Sequence, residues 1–514
     1  MKYSLNISQW VRQWSRRQPE KTAIWFEGRE ISYLRLHRQV CRIAAYFAIQ
    51  GMVPGRRVAV LLDNCPEFIQ IYLACSRMGL ILVPLNTRWA SDEVNWAIQN
   101  CEPSAIVFHQ KYKNKILDCH EIVSKPEILY VEIPENAVDF LETYIQQEVE
   151  RTGGGDLVDT RAVIPVPPES PHVIMYTSGT TGRPKGAVLS HRKTFFNCLN
   201  AQFFLDLQAE DRMLLSVPLF HSGGLFIQAS PVLYRGAGLV IQSKFDAVAT
   251  YKDIRKYRIT QYSAVPTIMK RLLAVPSEMR DDISSLRICA VGGEKMTDTL
   301  VKQCLAAGFP MRQIMGQTET SIILWASEKD LIDYPGTVGK PVFHGQVALL
   351  DSNGNPTGTG DVGEIAVSGP TLMSGYWRLP ELSKEAIRDG WLYTGDLALR
   401  NEEGYFFLVD RAKDMYISGG ENVYPVEVER VLKAHDLISD AAVIGIPDAV
   451  WGQTGHAFVI KKPGAALTEQ DIRTFCEGRL ARFKWPQRIT IRDHFPRTAL
   501  GKIMKENLRA TSAR

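Results

Sequence analysis

The sequence predicts an α/β protein: a large N-terminal domain of doubly wound sheets with a small β-rich subdomain, followed by a small α+β C-terminal lid. Three observations predict it. From residue 38 to about 108, and again from 212 to 291, helix-like stretches alternate with short apolar strands, the rhythm of βαβ units around a parallel sheet. From Gly345 to Asp410 the texture changes to short strands broken by turn clusters. The length of 514 residues, 45% hydrophobic and 23% charged, suits about three structural units of roughly 150 residues and excludes a single small module, a coiled coil, collagen and wholesale disorder.

In chain order, the opening MKYSLNISQWVRQWSRRQPEK has no apolar run of signal-peptide length, and the most hydrophobic stretch, Leu80 to Val83, stops at Pro84. No membrane-spanning segment is expected. Arg12, Arg16 and Arg17 interleave with Trp10, Val11 and Trp14, which suits weak peripheral membrane contact or a helix packed on the domain by its tryptophans; the second is the expectation. Helices are expected at Arg38 to Gln50 and Pro66 to Met78, with strands at Arg57 to Leu62 and Ala105 to Phe108. The rhythm returns in strands at Arg212 to Val217, Gly238 to Ile241, Ile259 to Val265 and Leu286 to Val291. Gly and Pro gather between Glu148 and Pro171, marking a subdomain joint near 148–171. The β-rich part carries turns at Asp351 to Gly354, Gly358 to Asp361 and Asn401 to Gly404. Beyond it, Val426 to Ala434 and Glu469 to Leu480 read as helices, Asp440 to Ile446 and His456 to Ile460 as strands. There is no internal repeat.

Sixty Lys and Arg against fifty-six Asp and Glu leave a net charge of +4, too small on this length to imply a nucleic-acid partner. Nine cysteines are scattered and never spaced C-x-x-C, which disfavours a disulfide framework or structural zinc and favours a reducing, cytoplasmic location.

The strongest chemical signal runs from Tyr176 to Gly186, directly after the apolar run Val173-Ile174-Met175. Thr177, Ser178, Thr180 and Thr181 supply hydroxyls, Gly179 and its companions allow close backbone approach, and Lys185 adds a positive charge. Such a loop suits a polyphosphate. It is not the P-loop of kinases and motor ATPases, because Gly186 rather than Ser or Thr follows the lysine.

With that loop the sequence resembles the adenylate-forming superfamily: acyl- and aryl-CoA synthetases, firefly luciferase and the adenylation domains of peptide synthetases. The resemblance extends in order through Met315-Gly-Gln-Thr-Glu319, Tyr393-Thr-Gly-Asp396, Asp410 to Pro425 and Pro496 to Lys502. It implies ATP and Mg²⁺ as cofactors and CoA as co-substrate. It also implies domains at 1–411 and 412–514, the latter a mobile lid that turns about a hinge at Lys413 between the two half-reactions.

By this resemblance Glu319 and Thr177 hold Mg²⁺, and Thr318 bonds the α-phosphate; a carboxylate beside a triphosphate must be metal-bridged or it repels the ligand. Asp396 offers two acceptor oxygens to the ribose and Arg411 a donor to the same sugar. Gly292, Gly293 and Glu294 let the backbone approach the adenine edge. Met315, before Gly316, stands where the family usually stacks an aromatic ring on adenine, and a thioether can still pack there. Lys502 is the cation that neutralises charge as the acid attacks the α-phosphate. Ser418, Gly419 and Gly420 fall on the CoA side.

Phe220-His221-Ser-Gly-Gly224 matches the family's acid-site motif, with His221 between the acid pocket and the adenylate. Amino-acid-activating relatives usually place Asp beside the aromatic, so a neutral imidazole suits a plain carboxylic acid. Gly223 and Gly224 are expected to leave room for an extended apolar tail. The resulting expectation is an acid:CoA ligase acting on a medium- or long-chain fatty acid. An aryl or other small carboxylic acid is the alternative, as is an adenylation enzyme that loads a carrier protein. A non-catalytic sensor is disfavoured by Glu319 and Lys502, and no residue feature supports luciferase-like oxygen chemistry.

Overall fold

A computed structural model describes residues 5–117, 128–134, 143–145, 147, 164–177, 184–294, 296–351, 353–411, 414–418, 421–448, 451–477, 479–480, 482–498 and 501–512. The chain forms two compact units. The first takes residues 1–335, 339–346 and 367–392; the second takes 336–338, 347–366 and 393–514. Most of the β-rich strands expected to close the large domain therefore fall with the C-terminal residues.

The first unit is built on two sheets. One has nine strands, whose parallel centre runs Met311–Gln317, Ile288–Val291, Gln261–Ala264, Arg212–Leu215, Gly238–Ile241 and Thr22–Phe26. Antiparallel strands Ser321–Ala326 and Arg29–Ser32 flank that centre. The other has seven, with parallel strands Pro171–Thr177, Ile81–Pro84, Arg57–Leu61, Ala105–His109 and Leu129–Ile133, closed at one edge by antiparallel Lys185–Ser190 and Gly375–Tyr376. Strands covered on both faces read as continuous apolar runs, as in Val58 to Leu61, all buried.

Helix Pro66–Met78 shows why the sequence punctuates where it does. Pro66 occupies the first turn, where its missing N–H costs nothing, and Gly79 ends the helix at φ +67°. Every residue of this helix is buried, so its apolar content is not confined to one stripe. The N-terminal helix Ser8–Arg17 packs by its tryptophans: Trp14 Nε1 donates to the Tyr234 carbonyl at 3.1 Å, and Trp10 meets the Tyr234 ring edge-on at 4.9 Å. A Cβ at Gly236 would meet the Trp14 ring at 2.3 Å. Among the described residues no helix is long and apolar enough to cross a membrane, and the eight described cysteines are all free and buried.

In the second unit, strand Trp391–Arg400, which enters it at Tyr393, pairs antiparallel with Phe406–Arg411. The C-terminal part centres on the long strand Gly452–Lys461, paired antiparallel with Ile438–Asp448 and parallel with Pro486–Ile491. Both long strands exceed the expected spans because they form one continuous ladder. The helix expected to reach Leu480 stops at Cys476: Glu477, just before Gly478, takes extended backbone (φ −61°, ψ 134°). Of the joint near 148–171, residues 148–163 lie outside the described residues.

Candidate active site

The strand Pro171–Thr177 alternates between two cores, Val173 and Met175 in one, Ile174 and Tyr176 in the other. Tyr176 anchors its end, its hydroxyl donating to Asn100 Oδ1 at 2.7 Å. The chain returns as Lys185–Ser190, with Thr177 opposite Lys185, so the phosphate-type loop joins the two strands of an antiparallel pair. Ser178, Gly179, Thr180 and Thr181 lie outside the described residues. Gly186 is required by packing, since a Cβ there would meet Ile174 Cγ2 at 2.8 Å.

Glu319 sits in the turn between Met311–Gln317 and Ser321–Ala326. The turn is tight: a Cβ at Gly316 would stand 1.9 Å from the Ser321 carbonyl oxygen, and Ser321 takes φ +61°. Glu319 Oε1 lies 3.3 Å from Thr177 Oγ1 and 3.1 Å from the Tyr376 hydroxyl, both donors. The backbone N–H of Met373 donates to the Glu319 carbonyl at 2.7 Å. Lys185 Nζ stands 5.6 Å from the Tyr376 ring centre, within cation–π range. Burial and the Glu319 carboxylate push the Tyr376 phenol up, which keeps it a donor.

Two members of this cluster escaped the sequence reading. Tyr376 follows Gly375 in a two-residue edge strand, too short for a strand pattern to reveal. Lys193 lies in the first turn of helix His191–Phe204, yet its side chain is buried and its Nζ donates to Ser321 Oγ at 2.7 Å and to the Thr371 carbonyl. Burial lowers this lysine to about 7, and Glu319 opposes the shift.

His221 follows Phe220, whose ring lies 4.7 Å from the imidazole. Its Nε2 is buried without a hydrogen-bond partner among the described residues, and burial followed by Arg88 lowers the imidazole to about 4, so the ring is neutral near pH 7. Ser222 Oγ and Thr318 Oγ1 approach to 3.4 Å, linking this segment to the Glu319 turn. The two following glycines differ. Gly223 begins a π-helical turn, Gly223–Ala229, and a Cβ there would meet only Val217 Cγ2 at 4.0 Å. A Cβ at Gly224 would stand 2.4 Å from the Pro218 carbonyl oxygen. Gly224 thus permits close backbone packing and opens no room for a tail, contrary to the expectation for the pair.

Gly292 and Gly293 follow strand Ile288–Val291. A Cβ at Gly292 would meet the Ile314 carbonyl oxygen at 2.6 Å, and Gly293 takes φ +86°, so each is glycine for its own backbone reason. Glu294 is half-buried and Met315 is 8% exposed.

In the second unit, Asp396 stands opposite Arg411 in antiparallel register, and its N–H donates to Thr394 Oγ1 at 3.2 Å. The Arg411 side chain, Lys413, Gly419 and Gly420 lie outside the described residues. Ser418 is buried, and its hydroxyl has no hydrogen-bond partner among the described residues. Lys502 is exposed on a turn where its N–H donates to Thr498 Oγ1 at 3.1 Å.

Two family models match this chain in order: that of the AMP-binding enzymes over residues 11–377, and that of their C-terminal domain over 427–502. The chain belongs to the AMP-binding enzyme family. An indoleacetate–CoA ligase of Aromatoleum aromaticum is 35% identical over 511 residues, 99% of each chain. A feruloyl-CoA synthase of an Amycolatopsis species is 34% identical over 504 residues, 98% of each. Among solved structures, ATP-bound MatB from Rhodopseudomonas palustris superposes with a TM-score of 0.89 at 30% identity, covering 99% of both chains.

Proposed function

We propose that this AMP-binding enzyme activates an aromatic carboxylic acid and transfers it to CoA. AMP-forming acid:CoA ligation is the activity; ATP and CoA are its co-substrates. The observation that carries the choice of acid is the contrast between Gly223 and Gly224 beside a neutral His221. Of the two positions expected to leave room for a long tail, a Cβ at Gly224 would stand 2.4 Å from the Pro218 carbonyl oxygen, whereas one at Gly223 would meet no described atom closer than 4.0 Å. A planar aryl group asks for a shorter channel than an extended alkyl tail does. The names of the two relatives, an indoleacetate ligase and a feruloyl synthase, support the same reading over the fatty acid expected from sequence.

In this reading Glu319 and Thr177 hold Mg²⁺, for which a carboxylate and a hydroxyl are fitting hard oxygen donors. The metal supplies charge neutralisation on the phosphates when bound. Lys185, with the loop ahead of it, takes the β- and γ-phosphates, while Thr318 meets the α-phosphate. Met315, Gly316 and the Gly292–Glu294 turn flank the base, and Asp396 with Arg411 holds the ribose. Lys502 neutralises the attacking carboxylate, and the segment Ser418 to Gly420 lies on the CoA side. Measuring pyrophosphate release with ATP and CoA across aryl, fatty and dicarboxylic acids tests the proposal. An aryl acid should give the highest kcat/KM; a preference for dodecanoate or longer acids would return the reading to fatty-acid activation.

A further inference from the structure

Lys193 is 2% exposed, and its two described hydrogen-bond partners belong to the two segments that frame Glu319. Ser321 closes the Glu319 turn at φ +61°. Thr371 lies two residues before Met373, whose N–H holds the Glu319 carbonyl, and five before Tyr376, whose hydroxyl holds the Glu319 carboxylate. The ammonium is placed where helix His191–Phe204 begins, by a residue whose own N–H is capped by Ser190 Oγ at 3.2 Å. Neither direct partner carries a formal charge, although Glu319 acts on Lys193 through its field. A lysine buried among neutral acceptors costs more than the packing gain of an apolar side chain of the same length. Packing alone therefore does not account for it.

We propose that Lys193 is a positioning residue for nucleotide activation. Its ammonium pins the Glu319 turn to the segment from Thr371 to Tyr376, and so sets the spacing between the Glu319 carboxylate and the Tyr376 and Thr177 hydroxyls. The inference rests on the reading of Glu319 as the metal-holding carboxylate. Three N–H donors on a point charge can bridge two segments at once, which Met, of similar length, cannot do. Removing the charge should leave the fold in place while loosening the carboxylate.

The test is binding of a fluorescent ATP analogue to the full chain with Mg²⁺ or with EDTA, together with thermal melting. The variants are Lys193→Met, Ser321→Gly, Glu319→Gln and the double variant of Lys193→Met with Glu319→Gln. Lys193→Met should weaken the Mg²⁺-dependent binding by about tenfold and leave binding in EDTA within about twofold. In the double variant it should add nothing to the loss caused by Glu319→Gln, because it acts through that carboxylate. Ser321→Gly suits the positive φ and removes the hydroxymethyl group that accepts from Lys193, so it should shift binding in the same direction without lowering the melting temperature; it carries the test if Lys193→Met does not fold. Equal weakening with and without Mg²⁺, losses that add in the double variant, or unchanged binding in Ser321→Gly with a non-folding Lys193→Met would overturn the proposal. Mg²⁺-dependent binding that survives intact in Glu319→Gln would overturn the metal reading of Glu319 itself, and this inference with it.

Discussion

Thr177 Oγ1 lies 3.3 Å from Glu319 Oε1, joining two residues 142 positions apart in the chain. The contact brings the end of a strand in the seven-stranded sheet to the turn between two strands of the nine-stranded one, Met311–Gln317 and Ser321–Ala326. Each sheet thus contributes one oxygen to the same place. Replacing Glu319 by Gln keeps the hydrogen-bonding shape and removes the charge, so acid-dependent ATP–pyrophosphate exchange should fall by a factor on the order of 10². Thr177→Val should cost less, about tenfold, because it removes a neutral donor. Exchange that persists unchanged in excess chelator would contradict the metal role of both residues.

The two glycines after Ser222 should respond oppositely to the smallest substitution. Gly224→Ala forces a Cβ to within 2.4 Å of the Pro218 carbonyl oxygen and should destabilise the fold by about 1–3 kcal/mol. Gly223→Ala meets nothing closer than 4.0 Å and should leave the melting temperature nearly unchanged. Gly223→Trp should then reduce kcat/KM for bulky acids far more than for acetate. A uniform loss across all acids would mean that Gly223 does not border the acid.

Stability should fall below about pH 6.5 for a reason visible in the core. His172 is stacked between Tyr72 and His191, with ring centres 4.9 and 4.3 Å away. Burial lowers His191 to about 4 and, with His191 nearby, drops His172 well below the ordinary value of 6.5. The unfolded chain therefore binds protons that the folded chain refuses. Stability is full above pH 6.5 and declines as pH falls toward 4, by about 1.4 kcal/mol per pH unit for each histidine. His172→Phe keeps an aromatic ring in the stack and should remove about one proton from that slope. Urea midpoints between pH 4 and 7 measure it, and an unchanged slope would exclude the pair as its source.

These residues also mark what the sequence made legible. Local signals were enough for helix Pro66–Met78, because a proline and a glycine punctuate it, and for strand Gly238–Ile241, where four apolar residues end in a buried layer. Glu319 and Thr177 are singled out by motif resemblance, and the fold brings their side chains to 3.3 Å of each other. Lys193 and Tyr376 were not, because their roles arise from partners more than fifty positions away, at Ser321 and Glu319. Gly223 and Gly224 look identical in sequence; only the position of the Pro218 carbonyl separates them. The turn of the chain from Thr177 back to Lys185 was equally hidden, since a loop of hydroxyls and glycines reads the same before a strand or a helix.

Lys502 should matter for only one of the two half-reactions. It stands on an exposed turn, fixed by the Thr498 N–H donating to its carbonyl at 2.7 Å and by Gly501 at φ +92°. Adenylation needs a cation beside the α-phosphate as the carboxylate attacks, whereas thioester formation needs an open path for the CoA sulfur to the same carbonyl carbon. One fixed placement of Lys502 does not serve both. Strand Phe406–Arg411 ends just before the proposed hinge at Lys413, and the chain is tied again at Asp414, whose carboxylate accepts from Arg509 at 2.6 Å. A change of backbone direction between those anchors falls on very few residues. Lys502→Ala should slow adenylation by a factor on the order of 10² or more while preformed acyl-adenylate is still converted to thioester. Lys413→Pro, which fixes φ near −65°, should spare adenylation if that step uses such a φ and impair thioester formation. Both half-reactions are assayed in both variants. If each substitution slows the two steps by the same factor, Lys502 is not specific to adenylation and the backbone at Lys413 does not turn between the steps.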